Sequence, residues 1–505
     1  MDSPISAASV SLPSDPPGGN WMPGFHDLSG DQSIVERGLL PRASQAGKVI
    51  VVGAGMAGLV AGYELFRAGH EVVILEAQGH VGGRVRTLRT PFAPGLYAEA
   101  GAMRIPGAHR LTLAYAERFG LSLLPFTAAN PAGYYHLFGR RMRIEAGDEH
   151  PDGLGFQLAE HERGRTAAQL LEATLRPIVE KLRMQGETAW RELVQQFDQY
   201  STLDFLETSG WSDGAIEMLG VLSNQEALLD NAFLEFLREE VGQCFVDLRQ
   251  IAGGMDHLPR AFVPSLGQFI RLGARVRAVD QRPDSVTVHY DGKAGPEQVS
   301  ADRAILAIPF AVLRRIDMLQ PFSLAKQRAI RELHYDPAVK VFFQCRRRFW
   351  EEDDGIFGGR SITDLPIRTI YYPDHGRETG RGVLLVSYTW GEDAQRWGAM
   401  PPDGRVTQAE HDAAFMHPQV AAECELGVSK VWQADEYAGG AFADFAPGQQ
   451  TRLFAHIIAP EGRIHFAGEH ASLLHAWIQG AIQSGLRAAR EVHMALLCSQ
   501  GTALE

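Results

Sequence analysis

Residues 48–76, KVIVVGAGMAGLVAGYELFRAGHEVVILE, restrict what this chain can fold into more than any other stretch. Val49 to Val52 form a short apolar run that stops at Gly53. Gly53-Ala54-Gly55-Met56-Ala57-Gly58 is then a G-x-G-x-x-G placed where a strand hands over to a helix. Leu59, Tyr63 and Phe66 recur at helical spacing, Gly69 supplies a helix stop, and Val72 to Leu75 is a second buried strand ending in Glu76. In such a unit Gly53 allows the tight turn, Gly55 lets the backbone approach a pyrophosphate, and Gly58 lets the helix pack closely on the strand. The free N–H groups and dipole of the helix N-terminus favour the phosphates. Glu76 stands near the usual spacing of about 20 residues, where a carboxylate accepts both hydroxyls of an adenosine ribose and repels a phosphorylated one. The unit therefore reads as a site for FAD or NAD rather than NADP. A G-x-G-x-x-G alone is a weak signal; two strands, a helix and an acid around it separate it from an ordinary strand-helix turn.

At 505 residues the chain is long enough for two or three domains. Its 48 basic and 61 acidic residues give a net charge of -13 with no basic stripe, which argues against a nucleic-acid partner. Cys244, Cys345, Cys424 and Cys498 are scattered and lack metal-ligand spacing, so they read as reduced thiols, and no metal site is expected. The first residues, rich in Ser, Pro, Gly and Asp, lack the basic and apolar regions of a secretory signal. No apolar run reaches the roughly 20 residues needed to cross a bilayer. A cytoplasmic protein with no membrane partner is the expectation.

Further signals follow in chain order. Gly79-His80-Val81-Gly82-Gly83-Arg84-Val85-Arg86-Thr87 offers a second backbone approach to a pyrophosphate, with guanidinium groups to offset its charge. From about Glu145 to Val246 the pattern is helical, an insertion the size of a small domain. Arg275 to Val279 and Ser285 to Tyr290 alternate like paired strands, and Ala304 to Ile308 is a buried strand stopped by Pro309. In Ala338-Val339-Lys340-Val341-Phe342-Phe343 both faces are apolar. Burial there would depress the pKa of Lys340 unless the side chain snorkels to solvent.

The G-x-G-x-x-G, the acid at Glu76 and Gly82-Gly83-Arg84-Val85 resemble the signature of the flavin amine oxidase superfamily. Gly101-Ala102-Met103-Arg104-Ile105-Pro106 is similar to the G-x-M-R-[IV]-P segment of its L-amino acid oxidases. Tyr200 to Leu206, Gly253-Gly254-Met255-Asp256-His257-Leu258-Pro259 and residues 462–485 resemble other segments of the same family. The resemblance implies an α/β fold. A Rossmann-like FAD-binding domain would be assembled from 46–86, 250–333 and 455–498, with a mixed-sheet substrate-binding domain from 87–144 and 334–454. A helical domain at 145–249 would be inserted, and an N-terminal extension, 1–45, partly disordered, would dock on the substrate domain.

It further implies noncovalent FAD. Gly53, Gly55, Met56, Ala57, Gly58, Glu76, Ala77 and Val276 would hold the adenosine and phosphate end. Gly83, Arg84, Gly101, Ala102, Met103, Arg104, Gly468, Glu469, Trp477 and Ile478 would hold the rest. A covalent link is not expected, because Gly439-Gly440 is followed by Ala441 where monoamine oxidases carry a cysteine. Lys340 resembles the lysine that holds a water near flavin N5. Arg104 and Tyr388 match residues that bind a substrate carboxylate, with Tyr371 and Tyr372 as the competing tyrosines. Ala476 matches a position whose carbonyl accepts from the substrate amine, and Trp390, Ala441 and Trp477 the walls of the side-chain pocket. Three fixed points around the α-carbon select one enantiomer. Where some relatives carry a histidine proposed as base, an approximate alignment places Arg238.

The activity implied is oxidation of L-amino acids by dioxygen, with hydride passing from the α-carbon to flavin and 2-oxo acid, ammonia and hydrogen peroxide as products. Large neutral or aromatic side chains are expected, since no acid is placed to pair a lysine-type one. The rivals are an amide-forming amino-acid monooxygenase, a monoamine or polyamine oxidase, which needs no carboxylate clamp, and a non-catalytic protein of the same fold. A homodimer or higher homo-oligomer is the expected assembly.

Overall fold

The computed structural model of the protein describes residues 29–499. Residues 1–28 of the extension expected to be partly disordered lie outside them. Helix α1 (Ser29–Arg37) precedes strand β1 (Lys48–Val52), helix α2 (Met56–Arg67) and strand β2 (Glu71–Glu76), which realise the unit read from 48–76. Two further strands of the same sheet come from later in the chain, β3 (Ile270–Leu272) and β4 (Arg303–Leu306), and a fifth from Ile464–Phe466. The sheet is wholly parallel, in the order Ile464–Phe466, β4, β1, β2, β3. Val49, Ile50, Val51 and Val52 are buried on both faces, which is what a continuous apolar run in a parallel sheet requires. The long C-terminal helix Ile478–Ser499 packs along α2 and closes this layer.

The N-terminal extension meets the helix Arg110–Arg118, which lies in the 87–144 segment, and also the layer of the parallel sheet. Ile34, Val35 and Leu39 of α1 and the turn after it share the core of β1, α2 and the C-terminal helix rather than the mixed sheet. Arg67 and Arg118 donate to backbone carbonyls of α1, and Arg490 pairs with Asp31.

The second sheet has seven strands in the order Cys424–Val431, Ala338–Cys345, Gly382–Trp390, Thr369–Tyr371, Arg360–Thr363, Tyr134–Leu137, Arg140–Arg143. In Ala338–Cys345 every residue is buried. Val339, Val341 and Phe343 face one core while Ala338, Lys340 and Phe342 face the other side. Cys345 pairs with Cys424 across two antiparallel strands, with Sγ atoms 2.9 Å apart. Two of the four cysteines that look scattered in sequence are thus brought together by the sheet.

The helical insertion folds around its own apolar core. Its helices begin where the side chains say they should: Thr166 with Gln169 and Ser201 with Asp204 form reciprocal caps. The helix Phe233–Val241 lies at the inner edge of this insertion, with Phe233 stacked on Phe205 at 3.7 Å between ring centres.

Candidate active site

At the end of β1, Gly53 adopts φ +101°, and a Cβ there would lie 2.6 Å from the Ala307 carbonyl oxygen; a Cβ on Gly58 would overlap the Gly53 carbonyl. The chain's own atoms demand these two glycines. Gly55 is different: its φ of -73° suits any residue, and an added Cβ would meet nothing within 4 Å. A glycine that no protein atom requires, at the N-terminus of α2 and facing a cavity, leaves its backbone open to a ligand. Gly82 bridges to Gly55 and brings the second glycine pair alongside the first. The Glu76 carboxylate accepts from the Ala54 and Gln78 N–H groups, both at 2.8 Å. Burial raises its pKa, and these backbone hydrogen bonds oppose the rise.

A cavity of about 320 Å³ begins at this turn and is lined at its other end by the mixed sheet, residues 476–478 and the helical insertion. Lys340 projects there from the centre of its strand, 1% exposed. Its Nζ donates to the carbonyls of Glu99 (3.0 Å) and Gly101 (2.7 Å), and it lies 4.4 Å from the centre of the Tyr388 ring, which is directly across the strand pair. Burial pushes the ammonium down to about 7, with Glu99 opposing and Arg104 adding to the shift. By gripping these two carbonyls Lys340 holds the loop that carries Arg104.

Arg104 makes no salt bridge among the described residues. Its hydrogen bond goes to Tyr371 Oη at a long 3.4 Å, and its guanidinium lies over Phe245 (5.4 Å) and Trp477 (5.9 Å). Of the three candidate tyrosines, Tyr371 is thus the one within reach of Arg104. Its burial would raise the phenol pKa, but Arg360 and Arg104 outweigh this and bring it down to about 8. Tyr388 lines the cavity with its ring edge-on to Trp390 at 4.7 Å, whereas Tyr372 is buried elsewhere, bonded to Ser361 and His417.

The closing segment is tied down by Glu469. Its carboxylate accepts from Arg84 (2.7 Å), Ala443 N (3.1 Å) and Ala476 N (3.2 Å), and Arg84 also donates to the Ala441 carbonyl (3.1 Å). Ala476 takes a left-handed φ of 63°, which the Glu469 contact helps to fix and which sets the direction of the peptide before Trp477. Trp477 Nε1 donates to Glu239 at 2.6 Å.

A family model for flavin containing amine oxidoreductases matches residues 56–493. The chain belongs to the flavin-containing amine oxidoreductases. YobN of Bacillus subtilis (strain 168), a candidate L-amino-acid oxidase, is 40% identical over 468 residues, 91% of this chain and 97% of that protein. The L-amino-acid oxidase of Pseudechis australis is 36% identical over 463 residues, 90% of this chain and 88% of that one. A putrescine oxidase variant (A394C) superposes with a TM-score of 0.72 at 22% identity, covering 89% of this chain and 99% of that one. Cyclohexylamine oxidase from Brevibacterium oxydans IH-35A gives 0.69 at 19%, covering 90% and 100%. These two share the fold.

The oxidoreductase carries a flavin by family, and the open Gly55 backbone with its neighbouring glycine pair fits the phosphates of one. Of the residues expected to hold the cofactor or the substrate, all but Gly58 line this cavity, whereas the competing tyrosines Tyr371 and Tyr372 do not. Gly58 does not line it: its missing Cβ makes room for the Gly53 carbonyl, the close packing of helix on strand that its place in the motif suggests. Arg238 also lies off the cavity: it is buried and donates to Glu235 (2.9 Å) and Gln450 (2.6 Å). The oxidoreductase instead presents Glu235 and Glu239 from that helix, and Asp444, His475 and Phe442 from the other side; sequence reasoning named none of these five. Phe442 directly follows Ala441, so the adjacent aromatic was the available signal.

Proposed function

We propose that this oxidoreductase is an FAD-dependent L-amino acid oxidase, converting an L-amino acid, dioxygen and water to a 2-oxo acid, ammonia and hydrogen peroxide. The observation that carries this reading is Arg104, a guanidinium with no salt bridge among the described residues, facing the cavity that the glycine turn opens into. An amine substrate without a carboxylate would leave that charge unmatched. The curated relatives named as L-amino-acid oxidases support the same reading.

Arg104 holds the α-carboxylate through charge-assisted hydrogen bonds, with Tyr371 fixing the guanidinium and Tyr388 forming the wall beside it. The Ala476 carbonyl accepts from the α-amine, and Trp477, Trp390 and Phe442 enclose the start of the side chain. These contacts orient the α-hydrogen and select the L-enantiomer. The bound flavin supplies the hydride acceptor and the electrons for dioxygen. Lys340 places a titrating ammonium beside that chemistry, where positive charge stabilises the anion formed as dioxygen is reduced. Glu76 receives the adenosine ribose, and Ala441 offers no nucleophile for a covalent link.

Anaerobic mixing with L-amino acids should bleach the flavin absorbance, and air should restore it with release of peroxide. Recovery of the amide one carbon shorter in place of the 2-oxo acid would overturn the oxidase reading in favour of a monooxygenase. Acid precipitation should leave the yellow colour in the supernatant; colour retained on the protein would refute noncovalent binding.

A further inference from the structure

We propose that the substrate side chain is cationic, its ammonium or guanidinium received by Glu235, Glu239 and Asp444. The proposal rests on the reading of the cavity as an amino acid site. The three acids follow from the Arg104 end of that site. Arg104 lies against the Trp477 ring, and Trp477 Nε1 donates to Glu239. Glu235 is four residues back on the same helix face, so the two carboxylates are neighbours one turn apart. Across from it stand Asp444 and His475, whose ligating atoms lie within 4.8 Å of each other and of Glu235. Phe442 and Asp444 are two residues apart and both line the cavity, so the aromatic wall leads directly to an acid.

The charges around these groups do not close within the chain. Arg238 and His475 both address Glu235, at 2.9 and 3.2 Å. Glu239 and Asp444 accept from the neutral groups of Trp477 and Asn231, and neither forms a salt bridge among the described residues. Glu235 is 8% exposed, and its Oε1 atom, facing His475 Nδ1, has no aligned hydrogen-bond donor. With Arg104, which also attracts Glu239, taken up by the substrate carboxylate, these three acids face only Arg238 and His475 among the described residues, and a neutral side chain would leave Glu239 and Asp444 without a cation. Burial, reinforced by neighbouring carboxylates, raises the pKa of Glu239 to about 7 and that of Asp444 further from its ordinary value. An arriving cation would restore their ionisation. A substrate with its carboxylate on Arg104 and its side-chain cation on these acids matches both signs of charge at this end of the cavity. A divalent metal fits less well, because the Arg238 guanidinium is fixed against the same Glu235 carboxylate. The expectation of a large neutral side chain gives way on these grounds.

Peroxide release and flavin reduction by L-lysine and L-arginine, set against the near-isosteric neutral L-norleucine and L-citrulline, test this without any variant. The cationic member of each pair should have at least a 10-fold higher kcat/KM. In Asp444→Asn and Glu235→Gln the lysine-to-norleucine ratio should fall roughly 10-fold or more, chiefly through KM, a change that loss of folded protein would not produce. Equal or better use of the neutral partners overturns the proposal, as does a ratio unmoved in both variants. A stoichiometric metal found in the purified holoenzyme by elemental analysis also overturns it. Turnover of neutral L-amino acids alone refutes the present inference and leaves the oxidase reading standing, whereas no turnover of any L-amino acid refutes both.

Discussion

The two ends of the cavity are built on opposite plans. At the glycine turn Glu76 is already satisfied by backbone N–H groups, and Gly55 presents bare main chain to the ligand. At the other end Arg104, Glu239 and Asp444 project side chains that form no salt bridge among the described residues, beside Glu235, which Arg238 and His475 address. The first plan suits a ligand that is held and never changed. The second suits one that arrives with its own charges and leaves.

Glu469 joins the two ends, so its loss should have the largest effect. Glu469→Ala leaves Arg84 without its carboxylate and two backbone N–H groups without their acceptor, which should cost about 3 kcal/mol or more of stability. The purified variant should melt earlier and have lost flavin absorbance; a fully loaded variant with unchanged Tm would show that the ends are built independently. Arg104→Ala should next lower kcat/KM by roughly 10- to 150-fold, the equivalent of about 1.5 to 3 kcal/mol, with flavin content unchanged. Unaltered kcat/KM would remove the charged end from the comparison.

At the other end the glycines themselves can be set against each other. Gly58→Ala should destabilise the protein by about 1 to 3 kcal/mol by overpacking against the Gly53 carbonyl. Gly55→Ala should leave apoprotein stability nearly unchanged and weaken flavin retention. Equal melting losses in the two would refute the view that Gly55 is kept open for a ligand. The smallest effect is expected at Lys340, which is mainly protonated below about pH 7 and mainly neutral above it. Reoxidation by dioxygen in stopped-flow work should therefore be faster below that pH and slow by a few-fold above it. In Lys340→Met it should be slow throughout and show no step between pH 6 and 8.

The glycine end was legible because its constraints are local: Gly53, Gly58, Glu76 and the Gly82-Gly83 pair lie within 31 residues, and each has a backbone reason that spacing alone exposes. The charged end was only half legible. Arg104 and Lys340 stood out by motif and by an ionisable residue in an apolar strand. Tyr371 did not displace Tyr388, because which tyrosine reaches Arg104 depends on how the strands Thr369–Tyr371 and Gly382–Trp390 stack beside a separate loop. Glu235 and Glu239 fall in the helical insertion, where spacing alone does not tell which face turns inward. Only the placement of the whole insertion against the cavity turns their face inward. Cys345 and Cys424 show the same limit, since 79 residues separate them until the sheet register opposes them.

The parallel sheet places Ile464–Phe466 beside strands that begin at Lys48, and the helix Ile478–Ser499 is the wall behind α2. A growing chain emerging from the ribosome has its glycine turn some 400 residues before it has the segment that completes the same layer. Closing so distant a contact is slow and comes late in folding. The cofactor cradle is thus completed after the mixed sheet and the helical insertion have had time to form.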